Sequence, residues 1–483
     1  MNDKQILLIN PWIYDVAAYD FWIKPVGLLT IGSVLRENGY QISLIDCLDR
    51  YHPSLSRLNG KLKPISKRYG TGKFHREPVE KPLALKTIPR QYSRYGLPLS
   101  IFINELQKLP PVDAILVSSG MTYWYQGPAT AIEILKRTYA GVPIILGGIY
   151  ATLCYDHAVK FSGADYVIKG PGEKKVLELL NRIFGKQTDL SSLPKNIDEL
   201  PWPAYDLYQH LASLPILTSR GCPHRCSFCA SHLLAQKFEQ RDPITVVDEI
   251  EFYTTTYGVK NFAFWDDALL VNQKRHLSVI LNEVIKRNIN ARFHTPNGLQ
   301  PKELDETLAQ LMVRCQFKTI RLSYESSDPQ RQQMMGKVSD DELIRAIDNL
   351  ERAGYQRNQI DVYVMMGLPH QSVDEIIKTM LFVHQVGAKI RLASYSPIPG
   401  TKDWEVVKAH YNFSDDTDPI LTNNSIFPLR TPEMSFDTFE KFKQLARVFN
   451  NALDQGKRIF DHHQYILSFF HKTQAREETF PLD

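Results

Sequence analysis

Three cysteines, Cys222, Cys226 and Cys229, lie within eight residues of one another. They follow an apolar run that ends at Leu217 and a short turn that ends at Gly221. Because the spacing is so short, a single loop can turn all three sulfur atoms toward one point. Thiolates that converge in this way favour a soft metal centre, such as zinc or an iron–sulfur cluster.

Zinc and disulfide bonds are the alternative uses of these thiols. Structural zinc needs a fourth ligand, which His232 offers, but such sites usually pair two short ligand pairs across a longer spacer. This chain has no second pair of that kind. Disulfides would leave one thiol over, and the remaining cysteines stand singly in a chain without a secretory signature: Cys47, Cys154 and Cys315. A reducing compartment is therefore expected.

The Cys-x3-Cys-x2-Cys spacing, with Phe228 directly before the third Cys, resembles the signature of the radical S-adenosylmethionine (SAM) superfamily. The resemblance implies that the three cysteines hold a four-iron, four-sulfur (4Fe-4S) cluster with one iron open to SAM. It also implies reductive cleavage of SAM to a 5'-deoxyadenosyl radical, with an electron donor such as flavodoxin or ferredoxin. Phe228 is expected to lie near the adenine of SAM, although alone it would be an ordinary core aromatic.

Length and composition indicate a globular protein of several domains. The chain has 483 residues, of which 43% are hydrophobic and 23% charged, with a net charge of +4. A charge this small gives no reason to expect a nucleic acid partner. We find no apolar run near the ~18 residues that a membrane span requires, and no signal peptide. The sequence thus predicts a cytoplasmic protein.

Residues 1–190 alternate short apolar strands with helices. Strands are predicted at residues 6–9, 41–45, 113–119, 143–146 and 164–168, and helices at 26–37, 130–139 and 172–180. This alternation is typical of an α/β fold with a doubly wound, Rossmann-like parallel sheet.

This half resembles the cobalamin-binding domain that precedes many radical SAM barrels. The likeness rests on Gly27, on Gly147 and Gly148 after the fourth strand, and on residues 170–173, which read Gly-Pro-Gly-Glu. Glycines at strand ends let a large ligand approach the backbone, and ligands lie at the carboxyl ends of such strands. The resemblance implies cobalamin, with contacts expected from Ser118, Ser119, Gly147 and Gly148.

The stretch after the first strand departs from one cobalamin pattern. It reads Asn-Pro-Trp-Ile-Tyr at residues 10–14, without the Asp-x-His-x-x-Gly motif that carries a cobalt-ligating histidine in the methionine synthase type. Many radical SAM relatives lack that motif too. The absence of the motif removes the lower histidine ligand of cobalt but does not exclude cobalamin. A structural domain that binds no cofactor remains an alternative.

An insertion at about residues 48–111 separates the second strand from the third. Between residues 61 and 94 it holds ten Lys or Arg against two acids, Glu77 and Glu80. One interpretation is a solvated, partly irregular excursion. The other is a basic lid over an anionic group, such as a phosphate or a cobalamin side chain.

A proline-rich linker, residues 191–213, leads to a second α/β domain at 214–404. Six strands are predicted at 216–218, 261–265, 292–295, 319–323, 361–365 and 389–394, with helices such as 246–257 and 341–353 between them. This pattern predicts a partial (β/α)6 TIM barrel, with its chemistry at the carboxyl ends of the strands.

Polar and glycine-containing segments follow three of these strands. Asp266 and Asp267 end the second, Glu325 ends the fourth, and Met366 and Gly367 end the fifth. The resemblance implies that these residues contact SAM, for example by accepting a hydrogen bond from its ammonium group. His370 replaces the second glycine of the usual Gly-Leu-Pro-Gly. Taken singly, the acids would be ordinary turn residues.

Residues 405–483 match no motif, and their periodicity predicts a small helical cap with a helix at 436–454. The resemblances cover about residues 5–400 and together predict a radical SAM enzyme that methylates an unidentified small molecule or peptide with cobalamin. Two alternatives stay open. One is radical SAM oxidation, cyclisation or rearrangement without methyl transfer, and the other is a non-catalytic cobalamin or iron–sulfur binding protein.

Overall fold

The structure is a computed structural model and describes residues 4–58, 66–187, 193–336 and 338–458, together with 466, 467 and 470. A five-stranded sheet is followed along the chain by a six-stranded sheet. Among the described residues, we find no helix that combines the length and the apolar character needed to cross a membrane.

The first half contains eight strands and seven helices within the described residues. The strands are β1 (Lys4–Asn10), β2 (Ile13–Asp15), β3 (Tyr40–Asp46), β4 (Arg76–Pro78), β5 (Ser93–Tyr95), β6 (Ala114–Val117), β7 (Ile144–Leu146) and β8 (Tyr166–Val167). The helices are α1 (Val26–Glu37), α2 (Pro53–Leu58), α3 (Leu99–Lys108), α4 (Gln126–Thr138), α5 (Ile149–Leu153), α6 (Tyr155–Phe161) and α7 (Glu173–Ile183).

The large sheet of this half has the order β3-β1-β6-β7-β8, and all of its pairs are parallel. Ile6 and Leu8 of β1 pack toward α1 and α7, whereas Leu7 and Ile9 pack toward α3 and α4. Helices on both faces explain why the strand is continuously apolar. The predicted doubly wound sheet is confirmed.

The basic insertion is folded in its described part. Helix α3, which the sequence assigned to the insertion, packs Phe102 and Leu106 against the large sheet and belongs to it. Strands β2, β5 and β4 form a small antiparallel sheet, and Leu85 and Tyr92 are buried. The described part of the insertion thus combines short ordered elements and buried side chains with irregular, exposed stretches.

The second half contains eight strands and nine helices within the described residues. The strands are β9 (Leu214–Ile216), β10 (Ser219–Arg220), β11 (Glu239–Gln240), β12 (Asn261–Phe264), β13 (Arg292–His294), β14 (Phe317–Glu325), β15 (Ile360–Met366) and β16 (Lys389–Ser394). The helices are α8 (Ser231–Leu234), α9 (Pro243–Tyr257), α10 (Leu277–Lys286), α11 (Glu306–Arg314), α12 (Pro329–Met335), α13 (Asp340–Ala353), α14 (Val373–Gln385), α15 (Lys402–His410) and α16 (Phe436–Asp454).

Six of these strands form a parallel sheet in the order β16-β15-β14-β13-β12-β9, the predicted partial barrel. Helix α13 has a capping box at Ser339 and Glu342 and ends at Gly354 in the left-handed conformation, so its bounds follow from local sequence. The carboxyl ends of the six strands lie at one edge, where ligands of such folds bind.

Helix α16 covers the open edge of the barrel. The Asn450 side chain accepts a hydrogen bond from the amide of Ile390 at 2.8 Å and donates one to its carbonyl at 3.0 Å. The helical C-terminal region is confirmed in α15 and α16, but residues 411–435 between them contain only short 3-10 turns. Ile420 and Ile426 of this segment pack against the insertion. Most of the predicted cap beyond Arg458 lies outside the described residues.

Candidate active site

The cysteine loop lies between β10 and α8. Gly221, directly before Cys222, has φ +79°, and a Cβ there would lie 2.5 Å from the carbonyl oxygen of Lys237, so the turn requires glycine. Cys226 is buried, whereas Cys222 and Cys229 are half-buried. The amide of Cys229 donates to the carbonyl of Cys226 at 3.1 Å. The loop is thus tightly folded, and none of the chain's cysteines forms a disulfide.

The three cysteines share one short loop between β10 and α8. Within the described residues, no group of three or more His, Cys, Asp or Glu side chains is arranged to hold a metal ion. The donor set still fits an iron–sulfur cluster, because three soft thiols on one short loop match its ligands.

Asp266 connects this loop to the barrel. Its Oδ1 accepts hydrogen bonds from the Thr218 amide at 2.9 Å, the Thr218 hydroxyl at 2.8 Å and the Ser219 hydroxyl at 2.6 Å. Its Oδ2 is buried and accepts no hydrogen bond from the described residues. Burial raises the pKa of Asp266 to about 6, against the lowering effect of these donors. One acceptor is left for a ligand donor, such as the SAM ammonium.

The ends of β14 and β15 hold strained residues. Glu325 has φ +70° and follows a register shift in β14, and His370 has φ +56°. A non-glycine residue in this region costs ~1 kcal/mol or more and persists where the surroundings demand it. The predicted site residues Glu325 and Met366 are buried, and Gly367 has φ +83°. The imidazole of His370 packs on His410, with ring centres 4.7 Å apart.

Phe228 packs against the apolar cluster at the ends of β15 and β16. Its neighbours there include Met365, Leu368 and Trp404. The backbone of Asp403 also donates to the carbonyl of Ser227 at 3.0 Å. These contacts hold the cysteine loop against the carboxyl end of the barrel. The expected contact between Phe228 and adenine stays a prediction.

The predicted cofactor edge of the first sheet is closely packed. The hydroxyl of Ser118 donates to Asn10 Oδ1 at 2.9 Å, and that of Ser119 donates to the carbonyl of Gly147 at 2.7 Å. Gly148 has φ +105°, and a Cβ there would lie 2.3 Å from the carbonyl oxygen of Ser119. A Cβ at Gly147 would meet nothing within 4 Å. Gly147 therefore borders open space, and Gly148 is needed for the turn.

The segment that lacks the cobalt-ligating histidine is part of the core. Trp12 is 1% exposed, and its indole N–H donates to the carbonyl of Leu97 at 2.5 Å. A Cβ at Gly127 would lie 1.9 Å from the Trp12 carbonyl oxygen. Trp12 and its neighbours in this turn therefore serve the packing of the core rather than the binding of cobalt.

A cavity of about 370 Å³ lies between the two sheets. The first half contributes Gly27, Ser118, Gly147, Gly148 and Thr152 to its wall, and the barrel contributes Arg220, Gly221, Trp265 and Asp267. Of the predicted site residues, it unites Ser118, Gly147, Gly148 and Asp267. The cysteines, Phe228, Ser119, Asp266, Glu325, Met366 and Gly367 are not part of this wall.

Two features of this cavity escaped the sequence analysis. Arg220 forms an ion pair with Glu173 at 2.5 Å across the two halves. The indole N–H of Trp265 is buried without a hydrogen-bond partner among the described residues. An unpaired buried donor costs ~1–3 kcal/mol, so a ligand acceptor there would be stabilising. Arg220 and Trp265 lie next to sequence motifs described above. Their position in the wall of one cavity, however, depends on the tertiary structure.

Comparisons with known proteins agree with this architecture. Residues 216–383 match the model of the radical SAM superfamily. An uncharacterised methyltransferase from Pyrococcus horikoshii is 24% identical over 378 residues, which cover 70% of this chain and 79% of that protein. An anaerobic magnesium-protoporphyrin IX monomethyl ester cyclase from Rubrivivax gelatinosus is 22% identical over 385 residues, with 72% and 66% covered.

Among solved structures, the fold is similar to a radical SAM methyltransferase, TsrM, from Kitasatospora setae. That structure contains cobalamin and a 4Fe-4S cluster. The TM-score is 0.61 at 15% sequence identity, and the match covers 93% of this chain and 89% of that one. At this identity the likeness establishes the fold, which extends over both sheets.

Proposed function

We propose that the chain is an enzyme of the radical SAM superfamily, whose model matches residues 216–383, and that it acts as a cobalamin-dependent methyltransferase. The cavity shared by the two sheets carries this proposal. A ligand at Gly147 and Gly148 would face Trp265 and Asp267 across the same space. This is the arrangement that methyl transfer between a cofactor on the first sheet and a substrate at the barrel requires.

The residues fit such a pair of ligands. Gly147 leaves open space at the strand end, which suits a large, flat cofactor. Trp265 offers an unpaired indole N–H, and the buried Oδ2 of Asp266 offers an acceptor. The names of the Pyrococcus relative and of TsrM also support methyl transfer.

Each group has a separate task in this proposal. When bound, the cluster and SAM supply the radical and cobalamin supplies the methyl group. Cys222, Cys226 and Cys229 would hold the cluster. Asp266 fixes the backbone before the cluster loop through Thr218 and Ser219. Phe228, Asp267, Glu325, Met366 and Gly367 are proposed to contact SAM, and Ser118, Ser119, Gly147 and Gly148 to border cobalamin.

The wider setting follows from the same chemistry. A thiolate-held cluster persists in a reducing compartment, so we place the protein in the cytoplasm. It requires a one-electron donor such as flavodoxin or ferredoxin. The proposed division is a cofactor domain at residues 1–190, a linker to 213, the barrel to 404 and a cap to 483.

Radical SAM chemistry without methyl transfer is the second candidate, because the Rubrivivax relative is named as a cyclase. Product stoichiometry separates the two. Methyl transfer through cobalamin yields S-adenosylhomocysteine and 5'-deoxyadenosine together, whereas cyclisation yields 5'-deoxyadenosine without S-adenosylhomocysteine.

The first experiment is SAM cleavage by protein reconstituted without oxygen and reduced with dithionite. We expect 5'-deoxyadenosine from the wild type and from Cys154→Ala, a control that removes a thiol outside the loop. We expect a loss of at least about 100-fold in Cys226→Ala, because the cluster loses one of three ligands. Unchanged cleavage in Cys226→Ala would refute the cluster assignment, and no cleavage by the wild type would favour a binding protein.

A further inference from the structure

A second cavity, of about 590 Å³, lies at the amino-terminal ends of β14, β15 and β16. Its wall includes Arg321 of β14, Asp361 of β15 and Arg391 of β16. The neighbouring residues Ile320, Leu322 and Val362 pack into the core under the helices. Because side chains alternate along a strand, the charged residues face the opposite side, which is the interior of the barrel.

The wall of this cavity carries an excess of positive charge. Its basic residues are Arg68, Lys318, Arg321, Lys389 and Arg391, and its acid is Asp361. Arg391 Nε donates to Asp361 Oδ2 at 2.9 Å, and Lys389 Nζ lies 2.7 Å from Asp454 Oδ1 outside the wall. Arg68, Lys318 and Arg321 remain, and Asp361 is the acidic residue of the wall, so positive charge is in excess. A ligand with two or more negative charges would balance them.

Arg321 is the most deeply placed of these cations. Its side chain is 11% exposed, and its Nη1 donates to the hydroxyl of Tyr363 at 2.8 Å. Its Nε is buried and has no hydrogen-bond partner among the described residues, with Asp361 Oδ2 4.0 Å away. Burying a guanidinium with an unsatisfied N–H destabilises the fold, unless an anion accepts a hydrogen bond from that N–H.

The opposite wall comes from the first half of the chain. Phe21, Trp22 and Tyr69 line it, and Trp22 stacks on His294 with ring centres 4.4 Å apart. Burial, and then the cations of Arg292, Arg321 and Lys318, lower the pKa of His294 to about 3. The imidazole is therefore neutral beside these cations, as expected in a strongly positive region.

We propose that this cavity binds a phosphoryl group with at least two negative charges. Arg321, with its buried and unpaired Nε, and the surplus of cations in the wall carry this proposal. It is independent of the proposed methyl transfer, which is placed at the carboxyl ends of the strands.

The test is calorimetric titration of inorganic pyrophosphate into the reconstituted full-length protein at constant ionic strength. We expect pyrophosphate to bind at least about 10-fold more tightly than acetate, because it carries more charge. Lys318→Gln and Arg391→Gln should each weaken pyrophosphate binding by about 5-fold. Lys318 is exposed, so its variant is expected to fold even where Arg391→Gln does not.

Arg345→Gln is the control, since Arg345 is an exposed cation outside the cavity wall. Equal weakening by Arg345→Gln and Lys318→Gln would overturn the proposal, because it would indicate non-specific attraction. Pyrophosphate binding no tighter than that of acetate would overturn it too. The titration requires no turnover, so a failure of methyl transfer would be seen separately.

Discussion

Asp266 is the residue at which burial and hydrogen bonding act against each other most directly. Three donors stabilise its charged form, yet burial dominates and raises its pKa to about 6. The sequence identified Asp266 as a strand-end acid. Its contacts to Thr218 and Ser219 were not foreseeable, because they depend on how β9 and β12 pair.

This raised pKa predicts a pH dependence of stability. Between the unfolded pKa of 3.8 and the folded pKa of about 6, the folded state binds more protons than the unfolded state. Asp266 therefore stabilises the fold as the pH falls, by about 1 kcal/mol from pH 7 to pH 5. Asp266→Asn should lack this contribution. Urea unfolding of cluster-free wild type and variant at both pH values measures it, and an equal pH effect in both proteins would contradict it.

At the scale of elements, the turn after β7 separates two roles of adjacent glycines. Gly148 is required by its positive φ and by the carbonyl of Ser119, whereas Gly147 borders the cavity. The sequence predicted both as cofactor residues, from their position after a strand and from the resemblance to a cobalamin-binding domain. Only the backbone conformation distinguishes the structural glycine from the one next to the open space.

The two glycines allow a matched comparison. Gly148→Ala should reduce the free energy of unfolding by about 2–4 kcal/mol, because a Cβ there clashes in a strained conformation. Gly147→Ala should change it by about 0.5 kcal/mol or less. Gly147→Leu should stay folded and lose bound cobalamin, because its side chain enters the cavity. Urea unfolding and cobalt content test these outcomes, and full cobalt retention in Gly147→Leu would contradict the assignment.

Helix α16 completes the sheet that it covers. Asn450 pairs with both backbone groups of Ile390 in β16, as a further strand would. Edge strands without such protection expose unpaired groups. The helix itself was predicted from its periodicity, whereas its contact with the edge strand required the structure.

Asn450→Ala should therefore destabilise the protein by about 2 kcal/mol, since two hydrogen bonds are lost. The neighbouring Asn451 is exposed, and Asn451→Ala is expected to change stability by less than about 0.5 kcal/mol. Urea unfolding of both variants, with amide exchange at Ile390, checks this. Equal effects of the two substitutions would show that helix propensity, rather than the edge contact, is responsible.

At the scale of the whole molecule, contacts remote in sequence join the two halves. Glu173 pairs with Arg220 at the shared cavity, and Asn423 donates to the buried carboxylate of Asp15 from 408 residues away, at 3.0 Å. These contacts bring the carboxyl ends of both sheets to one space. The proposed function depends on that juxtaposition more than on any single residue.

Sequence patterns predicted the local parts of this arrangement well. The bounds of α1, β16 and α16 agree with the predicted ones, because apolar periodicity and flanking turns define them. The small sheet of β2, β5 and β4 was missed, since each strand has three residues and they are far apart in the chain. The cysteine motif is local and was recognisable. The two cavities depend on the tertiary structure and could not be predicted from the sequence.

The metal content of protein reconstituted without oxygen, with hydroxocobalamin offered and the excess removed, tests the central claim most directly. We predict about one cobalt and about four irons per chain. Iron without cobalt would contradict the proposed use of the first sheet and would make radical chemistry without methyl transfer the leading account.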